Sequence, residues 1–167
     1  LSGKVWNSPH VRSELAKLSE EHGLESEVLV RAVRTRWNTV TEVLKRAIDM
    51  KEVLGALCDM HQFNKNSRGP RLRRFLLSDS EWDVLEELHR LLDPFLYATK
   101  QISVSERALV QDVIPYIDVL TQHVDTFHED ASLSPMVRVA AKRGRTILDK
   151  YYKHTDDTMI YRVAMST

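Results

Sequence analysis

Leu77-Ser78-Asp79-Ser80-Glu81-Trp82-Asp83-Val84-Leu85 reads as the start of a long helix, and much of the chain on either side keeps the same period. Ser78 with Glu81 three residues on has the spacing of a capping box, in which cap and first-turn acid satisfy each other's backbone amides. Leu77 before the cap and Trp82 after it have the placement of a hydrophobic staple. Leu85, Leu88, Leu91, Leu92, Phe95 and Leu96 then recur at helical spacing and carry the helix to about Ile102. Pro94 removes a ladder hydrogen bond, so a kink is expected there.

Working outward, a helix is expected from about Pro9 to His22, with Ser8 as cap, Pro9 in the first position and Gly23 as the left-handed stop. Val11, Leu15 and Leu18 form its apolar stripe. Glu27 to Val33, crowded with Val28, Leu29, Val30 and Val33, reads as a short strand. One long helix should follow from about Trp37 to Met60, with Val40, Val43, Leu44, Ala47, Ile48, Val53, Leu54 and Leu57 inward. His61 to Pro70 reads as a loop on its Asn, Ser, Gly and Pro content. Downstream, helices are expected from Glu106 to His128, kinked at Pro115, and from Ser134-Pro135 to about Tyr152, with Val137, Ala140, Ala141, Ile147, Leu148 and Tyr151 inward. A short last helix spans Met159 to Met165. The expected fold class is therefore mainly all-α, an antiparallel bundle of five to six helices with one short strand.

Composition narrows the function classes. At 167 residues the chain can bury a sizeable core. Its 24 basic and 24 acidic residues give no global attraction to nucleic acid, so any such binding must come from local patches. A lone cysteine, Cys58, excludes an internal disulfide framework and a cysteine-rich zinc site, and is most simply a small buried hydrophobe. The histidines are scattered without zinc spacing, so no metal site is expected. No Ser-His-Asp, Cys-His or Gly-rich phosphate pattern points to a small-molecule substrate, and no apolar run is long enough to span a membrane.

Arg34-Thr35-Arg36-Trp37-Asn38-Thr39, followed by Val43-Leu44-Lys45-Arg46-Ala47, resembles a block of the hAT-superfamily DNA transposases. Leu77 to Leu85, Leu91-Leu92-Asp93-Pro94-Phe95-Leu96-Tyr97-Ala98-Thr99, Val113-Ile114-Pro115-Tyr116 and Leu148-Asp149-Lys150-Tyr151-Tyr152 are similar to further blocks of that family, in the same order. The resemblance implies residues 1–37 from a ribonuclease-H-like catalytic region, holding the Glu27 to Val33 strand, and residues 38–167 from its helical insertion domain. Enzymes of the family cut DNA with three carboxylates that hold divalent metal such as Mg2+. By block order this chain lies between the second and third of these, so it has no catalytic residue or cofactor of its own and should not cut DNA. Ser105-Glu106-Arg107 repeats a tripeptide of the family's carboxy-terminal region but precedes the Val113-Ile114-Pro115 block here, and is read as coincidence.

What the resemblance leaves to this chain is DNA contact. Trp37 would stack on a flipped base and Arg36 would hold a phosphate or base, since an indole face and a guanidinium fork suit those tasks. The plainer alternative makes Trp37 a plug at the join between strand and bundle; the two are compatible. Lys65, Arg68, Arg71, Arg73 and Arg74 fall around a Gly-Pro turn with no acid among them, a candidate phosphate-binding loop. Arg138, Lys142, Arg143 and Arg145 form a second basic run, with Lys150 and Lys153 beyond it. Two functions compete: positioning of transposon-end DNA or hairpin flanks in the nucleus, or a helical protein-interaction scaffold that forms homo-oligomers.

Overall fold

The computed structural model describes residues 1–24, 29, 38–65, 69–104 and 110–156, and every regular element among them is helical, as the sequence led one to expect. The strand expected over Glu27 to Val33 lies outside the described residues except for Leu29, and so does the last helix, Met159 to Met165. The chain divides into two units, Leu1–Glu86 and Glu87–Thr167.

In the first unit, α1 (Ser2–Asn7) is an element the apolar pattern did not announce. Its Val5 is 3% exposed and its Trp6 indole donates to the Leu29 carbonyl at 3.2 Å. Helix α2 (Pro9–Glu21) starts and stops as its sequence requires. The Ser8 hydroxyl accepts from the Val11 amide, and Gly23 takes a φ of 65°. Its stop is a Schellman turn: the Leu24 amide reaches the Ser19 carbonyl at 2.9 Å and the Gly23 amide that of Glu20 at 3.0 Å. Val11 and Leu15 are fully buried, each worth about 1.5–3 kcal/mol of transfer free energy.

The single helix expected from Trp37 to Met60 is two: α3 (Asn38–Asp49) and α4 (Lys51–Asp59). Thr41 and Leu44 bury one face of α3, while Val40, expected inward, is 43% exposed. Val53, Leu54, Leu57 and Cys58 are buried on α4, a broader face than that of α3. The helix is interrupted at Met50, whose backbone takes φ −104° and ψ 15°. Gly55 lies inside α4, where it costs about 1 kcal/mol relative to Ala, and a Cβ built on it meets nothing within 4 Å.

Part of the loop expected from His61 to Pro70 is helical, and residues 66–68 of it lie outside the described residues. It opens with α5 (His61–Asn64), and beyond it a 3₁₀ turn spans Leu72–Phe75. Phe63 and Leu72 are 2% and 0% exposed, so two apolar side chains draw the polar segment back onto the core. Helix α6 (Asp79–Val104) contributes residues to both units. At its start the Ser78 amide and hydroxyl both donate to Glu81 Oε2, at 2.8 and 2.9 Å, which holds that carboxyl below the usual glutamate range. Pro94 lies inside the helix without ending it.

The second unit pairs α7 (Val110–Glu129), which contains Pro115, with α8 (Pro135–Asp156). The Ser134 hydroxyl accepts from the Val137 amide, and the Ser134 amide donates to the Glu87 carboxylate at 2.9 Å. Val137 and Ala141 are buried, and a Cβ on Gly144 would lie 3.3 Å from Val124 Cγ1. The contact line thus passes through a residue with no side chain. Ile147 and Tyr151, expected inward, are 57% and 61% exposed. His123 Nε2 donates to the Leu91 carbonyl at 3.2 Å, so that nitrogen carries the proton.

Candidate nucleic-acid interface

The basic loop is built from the core outward. With Phe63 and Leu72 buried, the described residues beside them, Asn64, Arg71 and Arg73, are tied together by hydrogen bonds. The Asn64 side-chain amide donates to the carbonyls of Cys58 and Met60, at 2.9 and 2.8 Å, and its oxygen accepts from the Arg73 amide at 2.8 Å. The Arg71 amide donates to the Phe63 carbonyl at 3.0 Å. Arg71 takes a φ of 51°, a left-handed conformation costly for a residue with a Cβ and sustained here by those bonds and by Leu72.

On this scaffold Lys65, Arg71, Arg73 and Arg74 are all exposed. Arg74 lies over the Phe75 ring, 4.8 Å from its centroid. Arg73 is engaged by Asp59, with Nε and Nη2 at 3.0 and 2.6 Å from one carboxylate oxygen. The sequence shows no acid inside this run, yet the fold supplies one from α4. Both partners are about two-thirds exposed, at 63% and 65%, so the pair is worth little and a phosphate can displace it. Arg36, Trp37 and Arg68 lie outside the described residues.

In the second basic run two arginines are engaged within the protein. Arg138 donates from Nε to the His128 carbonyl at 3.1 Å, covering the end of α7. Arg145 bonds Asp149 one turn on and reaches Asp125 of α7 from Nε at 2.9 Å. Those carboxylates, Asp149 foremost, push its proton affinity up. Lys142, Arg143, Lys150 and Lys153 are exposed.

Asp59 and Asn64 are the residues that pattern reading missed. Asn64 left a faint signal, an amide side chain at a helix end ahead of a Gly-Pro turn. Asp59 left none, being 14 positions from Arg73. Cys58 is buried, as its place on an apolar face suggested, and burial pushes its thiol up, away from the reactive thiolate. Among the described residues no three of His, Cys, Asp and Glu lie close enough to hold a metal ion. No described helix is long and apolar enough to cross a membrane.

This chain has a relative among human proteins. Zinc finger BED domain-containing protein 4 of Homo sapiens is 29% identical to it over 136 residues. That is 81% of this chain but 11% of the relative, so the chain corresponds to a small part of that protein's length. A zinc finger needs paired cysteines, and with Cys58 alone the present chain has none, so the shared stretch is not a finger. No family model matches the chain, and no solved structure matches it.

Proposed function

We propose that this chain is a non-catalytic, transposase-derived segment that holds DNA through its basic loop and works in the nucleus. The observation that carries the proposal is the loop itself: Lys65, Arg71, Arg73 and Arg74 exposed on a backbone pinned by Asn64, Phe63 and Leu72. Side chains carried on anchored backbone lose less conformational entropy on binding, so the phosphate contacts of Arg71 and Arg73 convert more fully into affinity. The distant human relative, named for a zinc finger, and the ordered blocks of hAT-like sequence support the same reading. In it residues 1–37 belong to a ribonuclease-H-like region and 38–167 to its helical insertion. Arg36 and Trp37 would stand at their junction to receive an extruded base, and metal chemistry belongs to the intact family enzyme.

Binding to hairpin or flapped DNA, followed by fluorescence anisotropy across a salt series, tests this. Affinity should fall steeply with salt, by close to one unit of log-log slope for each phosphate contact. A chain that binds such DNA at low salt no better than bovine albumin lacks the function.

One observation favours a second reading, a protein-interaction or oligomerisation scaffold. Met136, Val139, Ile147 and Tyr151 of α8 are 68%, 51%, 57% and 61% exposed, an unusual run of large apolar side chains in water. Sedimentation over a concentration series separates the two: a strict monomer that binds DNA supports the first, a self-associating chain without DNA affinity the second.

A further inference from the structure

Beside the basic loop the first unit carries an apolar groove of about 350 Å³, lined by Ala47, Leu54, Gly55, Phe75, Leu77 and Trp82 among others. Leu76 and Leu77 at its edge are 40% and 37% exposed. Its lining includes a helical glycine that no described residue presses upon: a Cβ on Gly55 meets nothing within 4 Å. A glycine inside a helix weakens it, and among the described residues no close approach explains the choice. Space kept open over a helix backbone is what a second backbone needs to come near.

The groove's electrostatics name the visitor. Arg74, which lines it, lies over Phe75 at 4.8 Å, and Lys51 lies over Trp82 at 5.6 Å. Neither cation has an ion-pair partner among the described residues, whereas the neighbouring Arg73 is matched by Asp59. We propose that this groove is a docking site for an acidic amphipathic helix of another protein, its apolar side chains over Gly55 and its carboxylates on Arg74 and Lys51. Helix-in-groove recognition uses apolar anchors at helical spacing, with flanking charges selecting the partner. A nucleic-acid base suits the site less well, because Trp82 is 8% exposed and a cation already lies over each aromatic face.

The test uses a fluorescein-labelled helical peptide of about 14 residues, with Leu at successive turns and Glu flanking them, against its Glu-to-Lys counterpart. The acidic peptide should bind the whole chain at least tenfold more tightly. Gly55→Leu fills the floor with a better helix former, so the melting temperature should hold while peptide affinity drops at least tenfold and loop-dependent DNA affinity does not. Arg74→Glu, on the exposed rim, should invert the preference between the peptides. Equal or absent binding of the two peptides overturns the proposal, as does an unchanged affinity in Gly55→Leu. A single-stranded oligonucleotide that displaces the peptide, and is itself lost in Gly55→Leu, assigns the groove to nucleic acid and likewise overturns it.

Discussion

Two basic runs look alike in sequence and differ in what the fold asks of them. Around Lys65 to Arg74 the charges stand out from a backbone that buried Phe63 and Leu72 hold in place, and the cluster's ion pair is exposed and weak. Along α8, Arg138 and Arg145 fasten it to α7, one on the His128 carbonyl and the other on Asp125, while Lys142, Arg143, Lys150 and Lys153 stay exposed. A cation already bonded inside the protein must give up that bond to meet a phosphate. The lesson is that the count of Lys and Arg measures potential, while their partners decide how much is available.

The sharpest way to break the comparison is to remove what pins the loop. Leu72→Ala empties a fully buried site and should lower stability by about 2–5 kcal/mol in urea unfolding, with the loop's DNA affinity falling too. If stability barely moves, Leu72 is no anchor. Next comes the seam that fixes α8. Gly144→Leu should cost about 1–3 kcal/mol, because its side chain must enter space now held by Val124, and it should part Arg145 from Asp125. A thermal melt equal to the wild type would contradict that close approach.

The direct contest is electrostatic. Alanine at Lys65, Arg71 and Arg74 together should flatten the salt dependence of DNA binding by about one unit of log-log slope per residue. Alanine at Lys142 and Arg143 should leave the slope unchanged; the reverse result would move the interface to α8. Smaller still, Arg145→Met should destabilise by less than about 1 kcal/mol, since its acid partners are 42% and 49% exposed and screened by water. Arg73→Met should do less.

The smallest effect concerns pH and the cap that ends the loop. The Ser78 amide and hydroxyl depress the Glu81 carboxyl below its unfolded value. Its contribution is therefore present above the usual glutamate range and lost as pH falls through the lowered folded value. Melting temperature measured downward from neutral pH should show a shallower acid decline in Glu81→Gln. Identical profiles would mean that the cap bonds carry no linkage.

Much of the helical order was legible in the sequence. Ser8-Pro9 with Gly23, Ser78 with Glu81, and Ser134-Pro135 each signal a boundary through local chemistry, and each boundary is where that chemistry puts it. Buried faces were less legible. Periodicity placed Val40, Ile147 and Tyr151 inside, and all three are exposed. It also ran α3 and α4 together, because each half is amphipathic and no side-chain cap marks the break at Met50. Of the candidate site, the basic residues could be named from composition, but the clamp of Asn64 and the carboxylate of Asp59 could not.

The sequence by itself determined the helix boundaries marked at Ser8-Pro9, Gly23, Ser78 and Ser134-Pro135, because caps, prolines and glycines act within a few residues of chain. It also determined that the chain has a single thiol and that its basic residues are clustered. Tertiary structure alone decided which charges remain available, since Asp59 meets Arg73 and Asp125 meets Arg145 across gaps no local rule spans. It alone decided that one glycine, Gly144, closes a helix contact while another, Gly55, leaves a groove open. A residue without a side chain carries no pattern to read; its meaning comes from what approaches it.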